Sequence, residues 1–146
     1  MPARRLTIAI GLAAFAMAAT ARGGELRLPD PNDYCATPKV IERVKAKVDH
    51  KFRGYTKTKL FLLDIVNPIE IHSRDRDETH TVARKWCHGK ARMNDRTTRD
   101  IWYVIEKPWG FAGTPLLTSA EFCIAGLDPW KIYGKDCSTL RNAIGW

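Results

Sequence analysis

The side chains in this sequence best suited to chemistry are Glu70, His72, His80 and His88. Glu70 and His72 lie two positions apart, which on a regular strand turns both to one face. A hairpin closing around Arg76 would bring His80 back beside His72. Two imidazoles and a carboxylate in that arrangement suit a zinc ion or general acid–base work. The competing reading is a solvated hairpin end, favoured by the charged run at 73–78 that His72 and His80 flank. Cys87 and His88 place a thiol beside a base. Adjacent strand residues point to opposite faces, however, and a disulfide would consume the thiol. The nucleophile elbow, the H-E-x-x-H helix, the P-loop, the dinucleotide glycine fingerprint and the calcium loop are all absent. The reading therefore assigns no catalytic residue, no metal and no cofactor, and keeps Glu70, His72, His80 and His88 as the alternative metal set.

Binding chemistry is better represented. Lys39, Arg43, Lys47 and Lys51 recur at four-residue steps and form a slanting ridge along a helix, with Glu42 and Asp49 tempering its charge. The apolar stripe opposite must face the core, so the ridge is expected to point outward. It would attract an anionic surface component or an acidic protein face, unless it is an ordinary solvated face. No helix-turn-helix, zinc or RNP pattern accompanies the charge, which argues against nucleic acid. Trp102, Tyr103, Trp109, Phe111, Phe122, Trp130 and Tyr133 crowd the C-terminal third. Trp109, Phe111, Trp130 and Tyr133 fall in expected loops, where exposed rings stack on sugars or peptides. Trp102 and Phe122 are expected in the core and Trp130 leans the same way, while Trp109 and Trp146 stay open. The candidate binding set is Lys39, Arg43, Lys47, Lys51, Trp109 and Trp130.

The elements that must position these groups are readable. Thr37-Pro38 announces a helix, with a hydroxyl at the N-cap and proline at the first helical position. Ile41, Val44, Val48, Phe52 and Tyr55 supply its core stripe, and Gly54 is expected to end it in a left-handed conformation. Residues 60–66 read as a strand that Ile69 and Ile71 extend past Asn67-Pro68, where proline implies an edge or a bulge. A second extended run covers 79–93, Asn94-Asp95 marks a hairpin turn, and 101–105 is rich in strand-forming residues. Residues 109–115 read as a loop, and 121–125 as a last strand. This predicts an α+β fold, one N-terminal amphipathic helix on a three- to four-stranded antiparallel sheet. The order is similar to the cystatin-like layout, an analogy of arrangement that carries no function.

Composition sets the outer limits. With 146 residues, 10 glycines, 8 prolines and 45% hydrophobic content, the chain is neither collagen-like, disordered nor a multidomain enzyme. Arg4-Arg5, the apolar run 6–17 and Ala19-Thr20-Ala21 read in order as an export signal cleaved after Ala21. The run is shorter than the ~20 residues a spanning helix needs, so no transmembrane span is expected in the mature chain. The expected organisation is a cleaved signal at 1–21, an extended leader at 22–34 and a single domain at 35–146, in the periplasm or outside the cell.

In an oxidising compartment Cys35, Cys87, Cys123 and Cys137 imply two disulfides, since no C-x-x-C or zinc spacing occurs. Gly126, Pro129 and Gly134 let the chain turn back between Cys123 and Cys137, which leaves Cys35 for Cys87. The net charge of +8 at pH 7 fits an anionic partner. The reading is a non-catalytic, exported binding protein with a basic helix face. The alternatives are a small exported enzyme or metal-binding protein using the histidine cluster, and an inhibitor or accessory subunit of an envelope protein.

Overall fold

The computed structural model describes residues 34–56, 58–107 and 119–143. The signal at 1–21, the leader up to residue 33, Trp109, Phe111 and Trp146 lie outside the described residues. A 3-10 turn (Tyr34–Ala36) leads into α1 (Pro38–Lys51), which continues through a π-helical turn (Phe52–Thr56). Four strands follow: β1 (Leu62–Arg74), β2 (Ala83–Met93), β3 (Thr98–Lys107) and β4 (Ser119–Ile124). They form one antiparallel sheet in the order β1-β2-β3-β4, with α1 against one face. A second 3-10 turn (Lys135–Cys137) and the short α2 (Ser138–Arg141) end the described chain. The fold is the expected α+β class, except that a turn precedes the helix.

Helix α1 begins at Pro38, as expected, because Thr37 is extended and proline sits at the first helical position. The Thr37 hydroxyl does not cap the helix; it donates to the Tyr34 carbonyl at 2.9 Å. The buried stripe is Val40, Val44, Val48 and Phe52, at strict four-residue steps, with Ile41 only partly buried. The end of the helix differs from expectation. Instead of a left-handed Gly54, the coil widens into the π turn, and Gly54 has no positive φ. The wider coil rotates Tyr55 off the core stripe, leaving it 69% exposed.

Alternation along the strands builds a core on each side of the sheet. Cys87, Ala91, Ile101, Tyr103, Ile105, Phe122 and Ile124 pack towards α1. Trp86, Val104 and Cys123 face the other way, under Cys137 and Leu140, with Trp102 and Tyr133 packed alongside. Each core carries one disulfide. Cys35–Cys87 ties the first turn to β2 on the helix side, and Cys123–Cys137 ties β4 to the C-terminal turn on the other, the expected pairing. In the chain-entropy model the short loop contributes about 3 kcal/mol and the long one about 4. The Tyr103 hydroxyl adds a buried bond, donating to the Cys35 carbonyl at 2.8 Å.

Strand β1 is an edge strand, and its pairing with β2 shifts register three times, between Leu62/Asp64, Val66/Ile69 and Glu70/His72. The middle shift falls at Asn67-Pro68, so the proline marks both an edge and a bulge. Asn67 takes a positive φ of 49° there. The third shift bears on function. Glu70 pairs with Cys87 and His72 with Trp86, and those two partners face opposite cores. A one-residue slip has moved His72 to the other face from Glu70.

Candidate binding groove

The third register shift separates Glu70 from His72, two members of the alternative metal set. Glu70, on the helix side, is bonded by the Lys85 ammonium at 2.6 Å. His72, on the other side, lies tilted against the Trp86 ring with centroids 5.0 Å apart. His88 stacks on Trp102 and is hydrogen-bonded through Nε2 to Asp100 at 2.8 Å. His80 is held by Asp77 within the loop after β1. Hydrogen bonds from Thr79 and His80 pull the Asp77 carboxyl well below the usual carboxylate range. Among the described residues no three histidine, cysteine or carboxylate groups converge on a point that suits a metal ion. The alternative metal set Glu70, His72, His80 and His88 is thus not gathered at one point; strand bulging and local partners hold its members apart.

A different set does converge. Between the C-terminal half of α1, edge strand β4 and the 127–133 loop lies a groove of about 500 Å³. Lys47, His50 and Lys51 reach it from α1, Tyr55 from the π turn, Glu121 and Phe122 from β4, and Trp130, Ile132 and Tyr133 from the loop. Tyr55 (69% exposed), Trp130 (59%) and Ile132 (59%) account for three of the six large apolar side chains exposed among the described residues. The other three are Phe61, just before β1, and Leu63 and Ile71 along its bulged length.

The loop that carries Trp130 and Ile132 is pinned from within. The buried Asp128 carboxylate accepts the Tyr133 N–H at 3.1 Å, and the Asp128 carbonyl accepts the Lys131 N–H at 3.0 Å. The Lys131 carbonyl accepts the Gly134 N–H at 2.9 Å, and Cys123–Cys137 closes the segment. Lys131 itself holds a φ of 50°, a conformation that side-chain-bearing residues seldom adopt. Successive turns at this tip leave Trp130 and Ile132 no core to enter.

Charge in the groove is paired. Lys51 lies 3.9 Å from Asp128 Oδ1, and its ammonium sits 5.2 Å from the Phe122 ring centroid and 5.6 Å from that of Tyr133. Its side chain is only 16% exposed. Lys47 Nζ is 3.5 Å from Glu121 Oε1, while the Tyr133 hydroxyl donates to Glu121 Oε2 at 2.7 Å. Burial, then that bond and the charge of Glu121, push the Tyr133 phenol well above its ordinary range, so it stays protonated as a donor.

The expected outward ridge therefore divides. Lys47 and Lys51 turn into the groove because paired carboxylates and two rings draw them there. Lys39 and Arg43 belong to the other end of α1, beside a cavity of about 100 Å³ shared with Tyr34 and Lys107. The Lys107 ammonium stands 3.9 Å from the Tyr34 ring centroid. Trp130, leaning towards the core in the sequence reading, is displayed to solvent instead.

Sequence reasoning missed Tyr55, which helical spacing assigns to the core, and Ile132, Glu121 and Asp128, which it does not single out. The available signal was the turn chemistry of Asp128-Pro129 and Gly134. Comparison with known proteins finds no matching family model, no matching curated protein and no matching solved structure.

Proposed function

We propose that this chain is an exported binding protein, working without catalysis, that holds its ligand in the groove between α1 and the 127–133 loop. The observation that supports it is the gathering of Tyr55, Trp130 and Ile132 in solvent around one concavity, the last two on a loop too constrained to fold them away. Large apolar groups displayed together on a pinned scaffold serve a partner, because leaving them wet costs free energy. The ligand has an apolar or aromatic body and is neutral or anionic. A cationic ligand is disfavoured because Lys51 already takes the cation position over Phe122 and Tyr133. Two disulfides favour an oxidising compartment, and the sequence signal favours export with a mature start at Arg22.

Titration with anilinonaphthalene sulfonate, an aromatic anion, tests this reading. Saturable one-to-one binding is expected. The triple variant Tyr55→Ala, Trp130→Ala, Ile132→Ala should weaken it roughly tenfold or more, the equivalent of about 1.4 kcal/mol, with little change in Tm. Equal affinity in parent and variant would remove the groove from consideration.

A further inference from the structure

We infer that the partner met by this surface is an anionic phospholipid bilayer; the inference rests on the groove and its rim being the binding surface. Trp130 and Ile132 stand on either side of Lys131, at the tip where the chain turns with a positive φ. Tyr55 stands across the groove from them. Trp and Tyr settle at the polar–apolar boundary of a membrane, and an isoleucine side chain goes deeper. Lys131 is exposed on that loop and Lys135 at the start of the 3-10 turn that follows it, and Lys47 lies at the groove wall with 45% of its side chain exposed. Lysine stems follow an apolar surface while their ammonium groups stay at headgroup level. Trp130-Lys131-Ile132 thus alternates groups that enter a bilayer with a group that meets phosphate.

Charge complementarity selects the lipid. The chain carries +8 overall, and +6 once Arg4 and Arg5 leave with the signal, and the two carboxylates beside the groove are already engaged. Glu121 lies between Lys47 and Tyr133, and Asp128 is buried beside Lys51. Asp136, exposed beside Lys135, opposes. A folded protein partner fits less well. Its knob would have to enter the floor, which Lys51 and its paired carboxylate occupy, whereas the most exposed apolar groups stand on the rim.

The test is flotation of the full protein with phosphatidylglycerol–phosphatidylcholine vesicles against pure phosphatidylcholine vesicles, at about 10 mM and about 0.5 M salt. Tryptophan emission and quenching by brominated lipid are followed on the same samples. Binding to the anionic vesicles is expected, at least about tenfold weaker on phosphatidylcholine or at high salt. Trp130→Ala with Ile132→Ser should abolish flotation and the emission shift, and Lys131→Gln with Lys135→Gln should weaken binding several-fold at low salt. The substituted side chains are exposed, and an unchanged Tm checks that the fold is intact. No flotation of the parent at low salt, or flotation indifferent to the Trp130 and Ile132 changes, overturns the inference. If the parent ignores vesicles but still binds anilinonaphthalene sulfonate, the lipid inference is lost and the groove reading stands. If it binds neither, both fall.

Discussion

Gly89 offers the sharpest test of the packing between β1 and β2. It lies on β2 opposite the β1 bulge, between the pairings of His88 with Ile69 and Lys90 with Val66. A Cβ at this position would stand 2.7 Å from Ile65 Cγ2, 3.2 Å from the Val66 carbonyl oxygen and 3.4 Å from Pro68 Cα. Ile65 is 4% exposed and has little room to retreat, and the other two atoms belong to the backbone. Gly89 has no positive φ, so close approach and not conformation demands glycine. Overpacking of this kind costs about 1–3 kcal/mol, offset by the ~0.5–1 kcal/mol that alanine recovers from a strand glycine. With two of the three crowding atoms in the backbone, the upper half of the overpacking range applies, so Gly89→Ala should destabilise by about 1–2.5 kcal/mol, lowering Tm by roughly 3–15 °C in a domain between the small and mid-sized classes. Gly54→Ala is the control. Beyond its own helix backbone and chain neighbours no atom lies within 4 Å of its Cβ position, and its φ is not left-handed, so it should gain about 0.4–1 kcal/mol. Thermal unfolding followed by circular dichroism, with disulfides intact, measures both. A Gly89→Ala protein as stable as the parent would refute the close approach, and a Gly54→Ala protein that loses stability would refute the π turn.

Three further outcomes are expected. The Lys90 ammonium, aided by His88, holds the Asp100 carboxyl below its usual range, so its contribution is present above that range and lost as pH falls through the folded value. Asp100→Asn should flatten the fall of Tm below about pH 4, and an acid limb identical to the parent's would contradict this. The raised Tyr133 phenol works in the opposite sense, stabilising fully below the ordinary tyrosine range and less as pH climbs beyond it. Tyr133→Phe should flatten the alkaline limb above about pH 10, with an unaltered limb the adverse result. Replacing Cys123 and Cys137 by alanine together should cost about 3 kcal/mol in urea unfolding and weaken anilinonaphthalene sulfonate binding, because the loop loses its closure; unchanged affinity would show that the disulfide does not position Trp130.

The sequence reveals local structure well and long-range geometry poorly. Thr37-Pro38 and the apolar spacing from Ile41 to Phe52 are enough to locate α1, because the helical start and periodicity act within a few residues. Both disulfides follow from turn residues and elimination. The register of β1 is a property of two strands, so no local pattern shows that Glu70 and His72 part company. Lys51 is indistinguishable from Lys39 in sequence, yet it lies half-buried beside Asp128, a carboxylate 77 positions away. Tyr55 continues the helical spacing correctly, and only the widened turn after Lys51 turns it outward. What the groove owes to the sequence alone is its parts, Lys47, Lys51 and Trp130. Their meeting depends on β4 lying at the sheet edge.

Amide-resolved NMR during titration with anilinonaphthalene sulfonate tests most directly whether the domain binds through this groove. Shifts are predicted to concentrate in residues 47–55, at Glu121 and Phe122, and in 128–133, with the Trp130 indole moving most, while the outer sheet face around His72 and His88 stays still. Shifts gathered around His72, Trp86 and His88, with the Trp130 indole unmoved, would contradict it.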